Sequence, residues 1–283
     1  QPPESRQQDG MVQTLEGTPY IMRIVRLPGI HHDANAVLLM DSKEAILIDS
    51  GTAWYQLLQQ ERIVGQLGED LTLREIVLTS RRYPFSGGSV SISERFENVP
   101  IKAHTSAISS LATGDFFTTW ANRFDSDMPI VNAIELDMHQ ESMLGGQTIE
   151  FIEAPGPSSC NLMVYIPSAK TVIAGALMPR ADRPLRWDVP TGNLIDGKVS
   201  LELLKELGAE KLIPMHGPSI KGSDHIAETV QRHITMLESI IEDQGVLPRS
   251  WPKPAHTSLW HEPVPAWPRL EQETNQADGN NLS

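Results

Sequence analysis

"LTSRRYPFSGG", residues 78–88, ends an apolar run and closes on a Gly-Gly pair. A loop just past the C-terminal end of a core strand is where α/β sheets usually assemble their chemistry. This one offers Ser80, Arg81, Arg82, Tyr83, Pro84 and Phe85, and no His, Asp or Cys. It has the placement of a catalytic loop and the side chains of an ordinary connection.

The segments around it set that placement. "YIMRIVRL" (20–27), "ANAVLLMD" (34–41) and "EAILIDS" (44–50) are β-rich runs separated by short polar turns, and the third is apolar enough for burial on both faces. "AWYQLLQQERIVGQL" (53–67) has helical apolar spacing, and "REIVLTS" (74–80) returns as a strand, which makes residues 44–80 a strand-helix-strand unit. After the glycines, "SVSISERF" reads as a helix and "VPIKAH" (99–104) as a short strand. Residues 105–125 read as one or two helices whose Phe116, Phe117 and Trp120 are packing residues.

A second set of strands follows: "NAIEL" (132–136), "QTIEFIEA" (147–154), "LMVYIP" (162–167) and "TVIAGA" (171–176). Helices over 198–207 and 224–244 flank the strand "KLIPM" (211–215). Two strand-rich halves with interspersed helices imply two sheets packed face to face, with helices outside.

The ends differ in composition from this body. Residues 1–17 are polar and Pro/Gln-rich, which reads as an arm. The folded domain is expected over 18–244. Residues 245–283 form a tail in which proline recurs too often for helix or interior strand, while Trp251, Trp260 and Trp267 punctuate it. Tryptophan contributes large buried area wherever it finds a pocket, so the tail either straps onto its own domain or docks on a protein partner.

Net charge is −13 from 23 basic and 36 acidic residues, the wrong sign for a phosphate-neutralising surface, and no nucleic-acid partner is expected. No apolar run reaches the length of a transmembrane helix. The single cysteine, Cys160, excludes an internal disulfide and a thiolate metal cluster within one chain. No Walker or dinucleotide fingerprint is present, and no cofactor is expected. The first residue is Gln1, not methionine, with Met11 an alternative start. A periplasmic or otherwise exported protein is expected, with a cytoplasmic location as the alternative.

The order of motifs resembles the metallo-β-lactamase superfamily over about residues 18–243. The resemblance is carried by "ILIDSGTAW" after a meander, "LTSRRYPFSGGS" after the next core strand, "GGQTIEFIEAPGPSS", "TVIAGALM", and "KLIPMHGP" before a terminal helix. It implies an αββα four-layer sandwich. In that family the loop after the second core strand reads Thr-His-x-His-x-Asp-His-x-Gly-Gly. Thr79 and Gly87-Gly88 match it at the same spacing, but Ser80, Arg82, Pro84 and Phe85 stand where the resemblance places His, His, Asp and His. Pro157 replaces the histidine of the "PGHT"-like turn, and Ala176 stands where a bridging aspartate is implied. His216 in "PMHGP" is the one retained ligand position, and Asp49 of "LIDSG" takes the family's supporting role.

A catalytic zinc site needs about three protein ligands and an open position for water. Alanine, proline and phenylalanine bring no side-chain donor, serine is a poor zinc ligand, and Arg82 adds positive charge where a dication would sit. The resemblance therefore implies the family's scaffold without its metal: a pseudoenzyme serving as a structural or interaction subunit of a larger complex. Two active alternatives stand beside it. One is an enzyme or small-ligand sensor with a remodelled metal-free pocket around Ser80, Arg82 and His216, with Tyr83 beside them. The other is a hydrolase with a relocated metal site, for which His31, His32 and Asp33 of "GIHHDAN" supply adjacent donors. Adjacent side chains point in different directions and seldom bind one ion well. Cys160, before an apolar strand, reads as a buried thiol and not as a nucleophile. Phe85 reads as a plug for the emptied pocket.

Overall fold

The computed structural model describes residues 22–139 and 142–246. The N-terminal arm and Trp251, Trp260 and Trp267 of the tail lie outside the described residues.

The chain opens as an antiparallel meander, β1 (Arg23–Leu27), β2 (Ala36–Met40) and β3 (Glu44–Ile48). Helix α1 (Gln56–Leu67) crosses over to β4 (Thr72–Leu78), which lies parallel to β3. The loop 79–88 follows, with a single turn of helix, α2 (Tyr83–Ser86), then α3 (Ser89–Arg95). Strand β5 (Ile101–Ala103), helix α4 (Thr105–Ala112) and strand β6 (Ile134–Glu135) complete a six-stranded sheet in the order β1-β2-β3-β4-β5-β6.

The second half repeats the plan. Strands β7 (Ser142–Leu144), β8 (Gln147–Glu153), β9 (Leu162–Ile166) and β10 (Thr171–Ile173) pair antiparallel in succession. Helix α5 (Leu194–Glu206) crosses to β11 (Lys211–Ile213), parallel to β10, and β12 (Ile220–Lys221) and α6 (Ser223–Glu242) finish the half. The second sheet runs β12-β11-β10-β9-β8-β7.

Side-chain period explains how these sheets stack. In β2, Val37 and Leu39 point into an inter-sheet core with Ile46, Ile48, Val164 and Ile213. The alternate residues Ala36, Leu38 and Met40 point into a helix-facing core with Ile63, Leu67 and Ile92. A strand buried on both faces has no polar alternation, which is why "AVLLM" reads as a continuous apolar run. A third core joins Met163 and Val172 to Leu201 and Leu204 of α5 and to Val230 and Leu237 of α6. Each fully buried aliphatic side chain contributes roughly 1.5–3 kcal/mol. The result is helix, sheet, sheet, helix: an αββα sandwich.

Three sequence expectations are corrected. "NAIEL" does not open the second sheet: β6 pairs with β5 and closes the first. Phe116 and Phe117 do not pack inside; they stack on each other at 4.1 Å, with Phe117 61 % exposed. Helix α5 starts at Leu194, ahead of the expected residue 198, because the Asn193 side chain accepts hydrogen bonds from the Ile195 and Asp196 N–H groups and caps it there. The short strands β7 and β12 gave no pattern long enough to read.

Candidate functional site

The site region lies where the C-terminal ends of β3, β4, β10 and β11 meet. Asp49 follows β3 with φ 60°, and its buried carboxylate faces Thr79 at the end of β4. Thr79 N–H donates to Oδ1 at 2.8 Å, and Thr79 Oγ1 lies 2.8 Å from Oδ2. Burial pushes the Asp49 pKa up to about 7, and the Thr79 bonds pull the other way. On the far side of Thr79, Gly175 has φ 54°, and a Cβ there would come within 3.0 Å of Thr79 Oγ1 and 2.7 Å of the Leu162 carbonyl oxygen. Only glycine fits that approach.

The loop after Thr79 is pinned by its backbone. The Pro84 carbonyl accepts from Ala34 N–H at 2.9 Å, and the Phe85 carbonyl accepts from Ser50 N–H and Ser50 Oγ, both at 2.8 Å. These bonds drive the Phe85 ring inward, where it is fully buried against Ala34, Ala176 and Met215. Ala176 is the position at which the family resemblance implies a bridging aspartate, and Met215 directly precedes His216. Ser80 is buried and its Oγ accepts Arg82 N–H at 3.3 Å.

Arg81 and Arg82 are not a solvated pair. Arg81 is buried, with Nη1 donating to the Ser106 carbonyl at 3.2 Å and Nη2 to Thr191 Oγ1 at 2.8 Å and the Pro190 carbonyl at 3.3 Å. Arg82 is 1 % exposed, 5.9 Å from the Phe85 ring and 5.7 Å from Trp120. Trp120 also carries Arg186 at 4.4 Å, itself paired with Asp188, and Arg123 at 5.8 Å. These guanidinium groups gather around one indole beside the loop, and sequence reading missed the cluster because its members are far apart in the chain.

Pro157 is buried in the β8–β9 turn. Nearby, Asn161 ties that turn to the strand ends: its Nδ2 donates to Ala154 O at 2.8 Å and its Oδ1 accepts Ala176 N–H at 3.0 Å. His216 is buried, with Nδ1 3.0 Å from the Asp33 carbonyl oxygen. A carbonyl only accepts, so Nδ1 carries the proton and Nε2 is left as a lone-pair acceptor. Nε2 is buried with no hydrogen-bond partner among the described residues. Burial drives the His216 pKa down to about 3, against the bond to the Asp33 carbonyl, and the positive charges of Arg82 and Arg180 and the His32 ring push the same way as burial.

These residues do not fit a metal. Where a catalytic site would converge nitrogen and oxygen donors, Phe85, Ala34, Ala176 and Met215 pack together as an apolar cluster. The relocated site fails by geometry as well. The Asp33 carboxylate is buried and engaged by Thr52 N–H at 2.9 Å and Thr52 Oγ1 at 2.5 Å. His31 stacks on Tyr55 at 5.2 Å, and His32 packs edge-on to Phe124 at 5.3 Å and Trp54 at 6.1 Å. Among the described residues no group of three His, Cys, Asp or Glu side chains is placed to hold a metal ion. Cys160 is buried, with Sγ accepting Arg81 N–H at 3.4 Å. The cavity that reaches His216 is lined on its other sides by Arg180, Asp182, Ser219, Lys221 and His225, with neither Ser80 nor Arg82 among its walls.

Sequence reading brought out Asp49, the loop and His216, which the fold does assemble in one region. It passed over Asn35, whose Nδ2 donates to the Pro214 and Gly217 carbonyls at 2.9 and 3.0 Å and so holds the His216 loop to the first sheet. Its place in "GIHHDAN", beside the donors singled out, was the one signal available.

The architecture and the position of this region define an αββα sandwich of the metallo-β-lactamase type. The sequence profile described as "Metallo-beta-lactamase superfamily" matches residues 86–216. A curated relative, "Probable metallo-hydrolase MJ0888" of Methanocaldococcus jannaschii, is 28 % identical over 199 residues, covering 69 % of this chain and 92 % of its own length. Among solved structures, BLEG-1 B3 metallo-beta-lactamase superposes with a TM-score of 0.60 at 20 % identity, over 76 % of this chain and 99 % of that one. ETHE1 from Myxococcus xanthus superposes with a TM-score of 0.56 at 18 % identity, over 81 % and 93 % respectively. The chain has the metallo-β-lactamase superfamily fold, and its described residues lack a metal-binding cluster.

Proposed function

We propose that this protein is a non-hydrolytic member of its fold family, acting as a structural or interaction subunit of a larger protein complex. The observation that carries the reading is the cluster of Phe85, Ala34, Ala176 and Met215. Packing occupies the place where the family's chemistry requires converging donors, so the centre contributes stability and not a nucleophile. The metal-hydrolase names of its relatives are not carried over, because the residues that the resemblance assigns to metal binding are Ser80, Arg82, Pro84, Phe85, Pro157 and Ala176.

Two features support a partner-binding role. Trp54, Leu57 and Leu58 stand together at the start of α1 with Leu57 71 % exposed, and Phe117 projects from the segment after α4. Exposed large apolar groups of this kind mark interaction surfaces when they cluster. The tail supplies Trp251, Trp260 and Trp267, residues of the type that dominates binding hot spots.

Affinity purification of the full chain from its native cells tests the reading, against a chain ending at Val246 and a Leu57→Asp, Leu58→Asp variant. A stoichiometric partner that is lost from one or both variants is expected. Recovery of the full chain alone, or of the same partners from both variants, overturns it.

A further inference from the structure

Outside the packed centre, the turn between β5 and α4 meets the end of β8 and the turn that follows it. Side chains from the two join in a relay. Ser159 Oγ lies 3.5 Å from Ser106 Oγ, Ser106 Oγ lies 2.8 Å from His104 Nδ1, and His104 Nε2 lies 3.1 Å from Glu153 Oε1.

The start of α4 fixes the imidazole at the middle of this relay. His104 is the N-cap, and its Nδ1 accepts the Ser106 N–H at 3.2 Å, a task that Ser, Thr, Asp or Asn usually performs. A backbone N–H only donates, so Nδ1 holds a lone pair. A carboxylate only accepts, so Nε2 holds the proton and donates it to Glu153. The tautomer that satisfies both neighbours therefore turns a basic nitrogen toward the Ser106 hydroxyl. The ring is buried, while Ser106 and Ser159 are exposed and open to a reactant.

Capping accounts for only part of this geometry. It uses the Ser106 N–H, and it needs neither the hydroxyl at 2.8 Å nor Glu153 on the far side of the ring. The two serine-bearing segments are also braced against each other. Arg81 Nη1 donates to the Ser106 carbonyl at 3.2 Å and Nη2 to Thr191 Oγ1 at 2.8 Å, and the same Thr191 oxygen accepts Ser159 N–H at 3.0 Å. A hydroxyl facing the lone pair of an imidazole, whose other nitrogen is oriented by a carboxylate, is the arrangement that activates a serine.

We propose that Ser106 is a nucleophilic acyl acceptor, with His104 as its base and Glu153 as the residue that positions the base, and that it takes the acyl group of small activated esters. Ser106 Oγ bonds to the carbonyl carbon while its proton moves to His104 Nδ1. The bond from that carbon to the leaving oxygen then breaks, and the leaving group takes the proton from His104. The products are acyl-Ser106 and the free alcohol, and neither metal nor water is consumed. The relay shares no residue with the Phe85 cluster or the tail, and acyl capture is not hydrolysis, so this reading and the subunit role stand or fall separately.

The test treats the full chain with p-nitrophenyl acetate, following nitrophenol release and locating the acetyl group by peptide mass spectrometry. A burst of about one equivalent per chain is expected, matched by acetylation of Ser106 and abolished in Ser106→Ala. His104→Asn keeps a side-chain acceptor for the helix start and lacks the base. It should slow acetylation about a hundredfold or more, with the thermal midpoint little changed. Glu153→Ala should slow acetylation about tenfold in the parent chain and not at all in the His104→Asn chain, a dependence that a merely structural role would not produce. Release that continues past the burst and is lost in Ser106→Ala would keep the serine assignment and overturn the non-hydrolytic reading instead. No acetylation of Ser106, equal acetylation in His104→Asn, or acetyl groups spread evenly over exposed side chains overturns the proposal.

Discussion

Asp49 and Thr79 are joined by two contacts, Thr79 N–H to Oδ1 and Thr79 Oγ1 to Oδ2, both at 2.8 Å, in a pocket closed to water. The pair fixes the strand end from which the loop 79–88 departs, a structural task that does not need a metal. Its carboxylate is costly to ionise: burial raises the pKa from 3.8 to about 7. Between those values the folded chain holds a proton that the unfolded chain has lost, so this group's contribution to stability falls as pH rises through the window. His216 and His233, whose pKa values are lowered to about 3 and 4 by burial, contribute in the opposite direction as pH rises toward 6.5. The Asp49 effect is therefore read against a variant. Asp49→Asn keeps the acceptor for Thr79 N–H and places an amide N–H against Thr79 Oγ1. Denaturation of both proteins at about pH 5 and about pH 8 should show Asn gaining about 2–3 kcal/mol relative to Asp at the higher pH. An unchanged difference would mean that Asp49 is ionised throughout.

Phe85→Ala empties a space walled by Ala34, Ala176 and Met215. The loss should be about 3–5 kcal/mol in urea denaturation, as for other fully buried aromatic truncations. A cost below about 1 kcal/mol would mean that the ring is not filling the centre.

Arg81→Ala removes the bonds to Ser106, Pro190 and Thr191 that tie the loop to α4 and to the segment before α5. Leaving those acceptors unmatched should cost about 2–4 kcal/mol. Hydrogen exchange should rise in residues 186–193 ahead of the sheets. Uniform acceleration, or none, would contradict the local brace.

Cys160 is buried and its sulfur accepts Arg81 N–H. A thiol reagent should leave it unlabelled in the folded protein and react only as the chain unfolds, with rates tracking denaturant. Rapid stoichiometric labelling in buffer would show an accessible thiol.

The degree to which the sequence disclosed this molecule follows from what each signal depends on. Strands β2 and β3 were legible because burial on both faces leaves them almost without polar residues, β4 through its apolar end Ile76–Leu78, and α6 because Ile226, Val230, Ile234 and Leu237 recur at helical spacing. Strands β7 and β12 are too short to carry a period, and β6 was given to the wrong sheet because pairing partners are set by tertiary contact. At the site, Asp49, Phe85, Ala176 and His216 were legible through a motif order held at fixed spacing. The burial of Arg81 and Arg82 was not, because it depends on Thr191, Trp120 and Ser106 arriving from distant segments. The cavity beside α6 was invisible for the same reason: Arg180, His216 and Lys221 share it only after β10, β11 and β12 pair.

The central claim is that the fold is kept while the metal centre is replaced by packing. Elemental analysis of the full chain, purified without chelators and dialysed against metal-free buffer, tests it most directly. The account predicts zinc, iron and manganese each well below about 0.1 equivalent per chain, unchanged in the Phe85→Ala variant. Retention of about one to two equivalents of any of these metals, released only on unfolding, would contradict it.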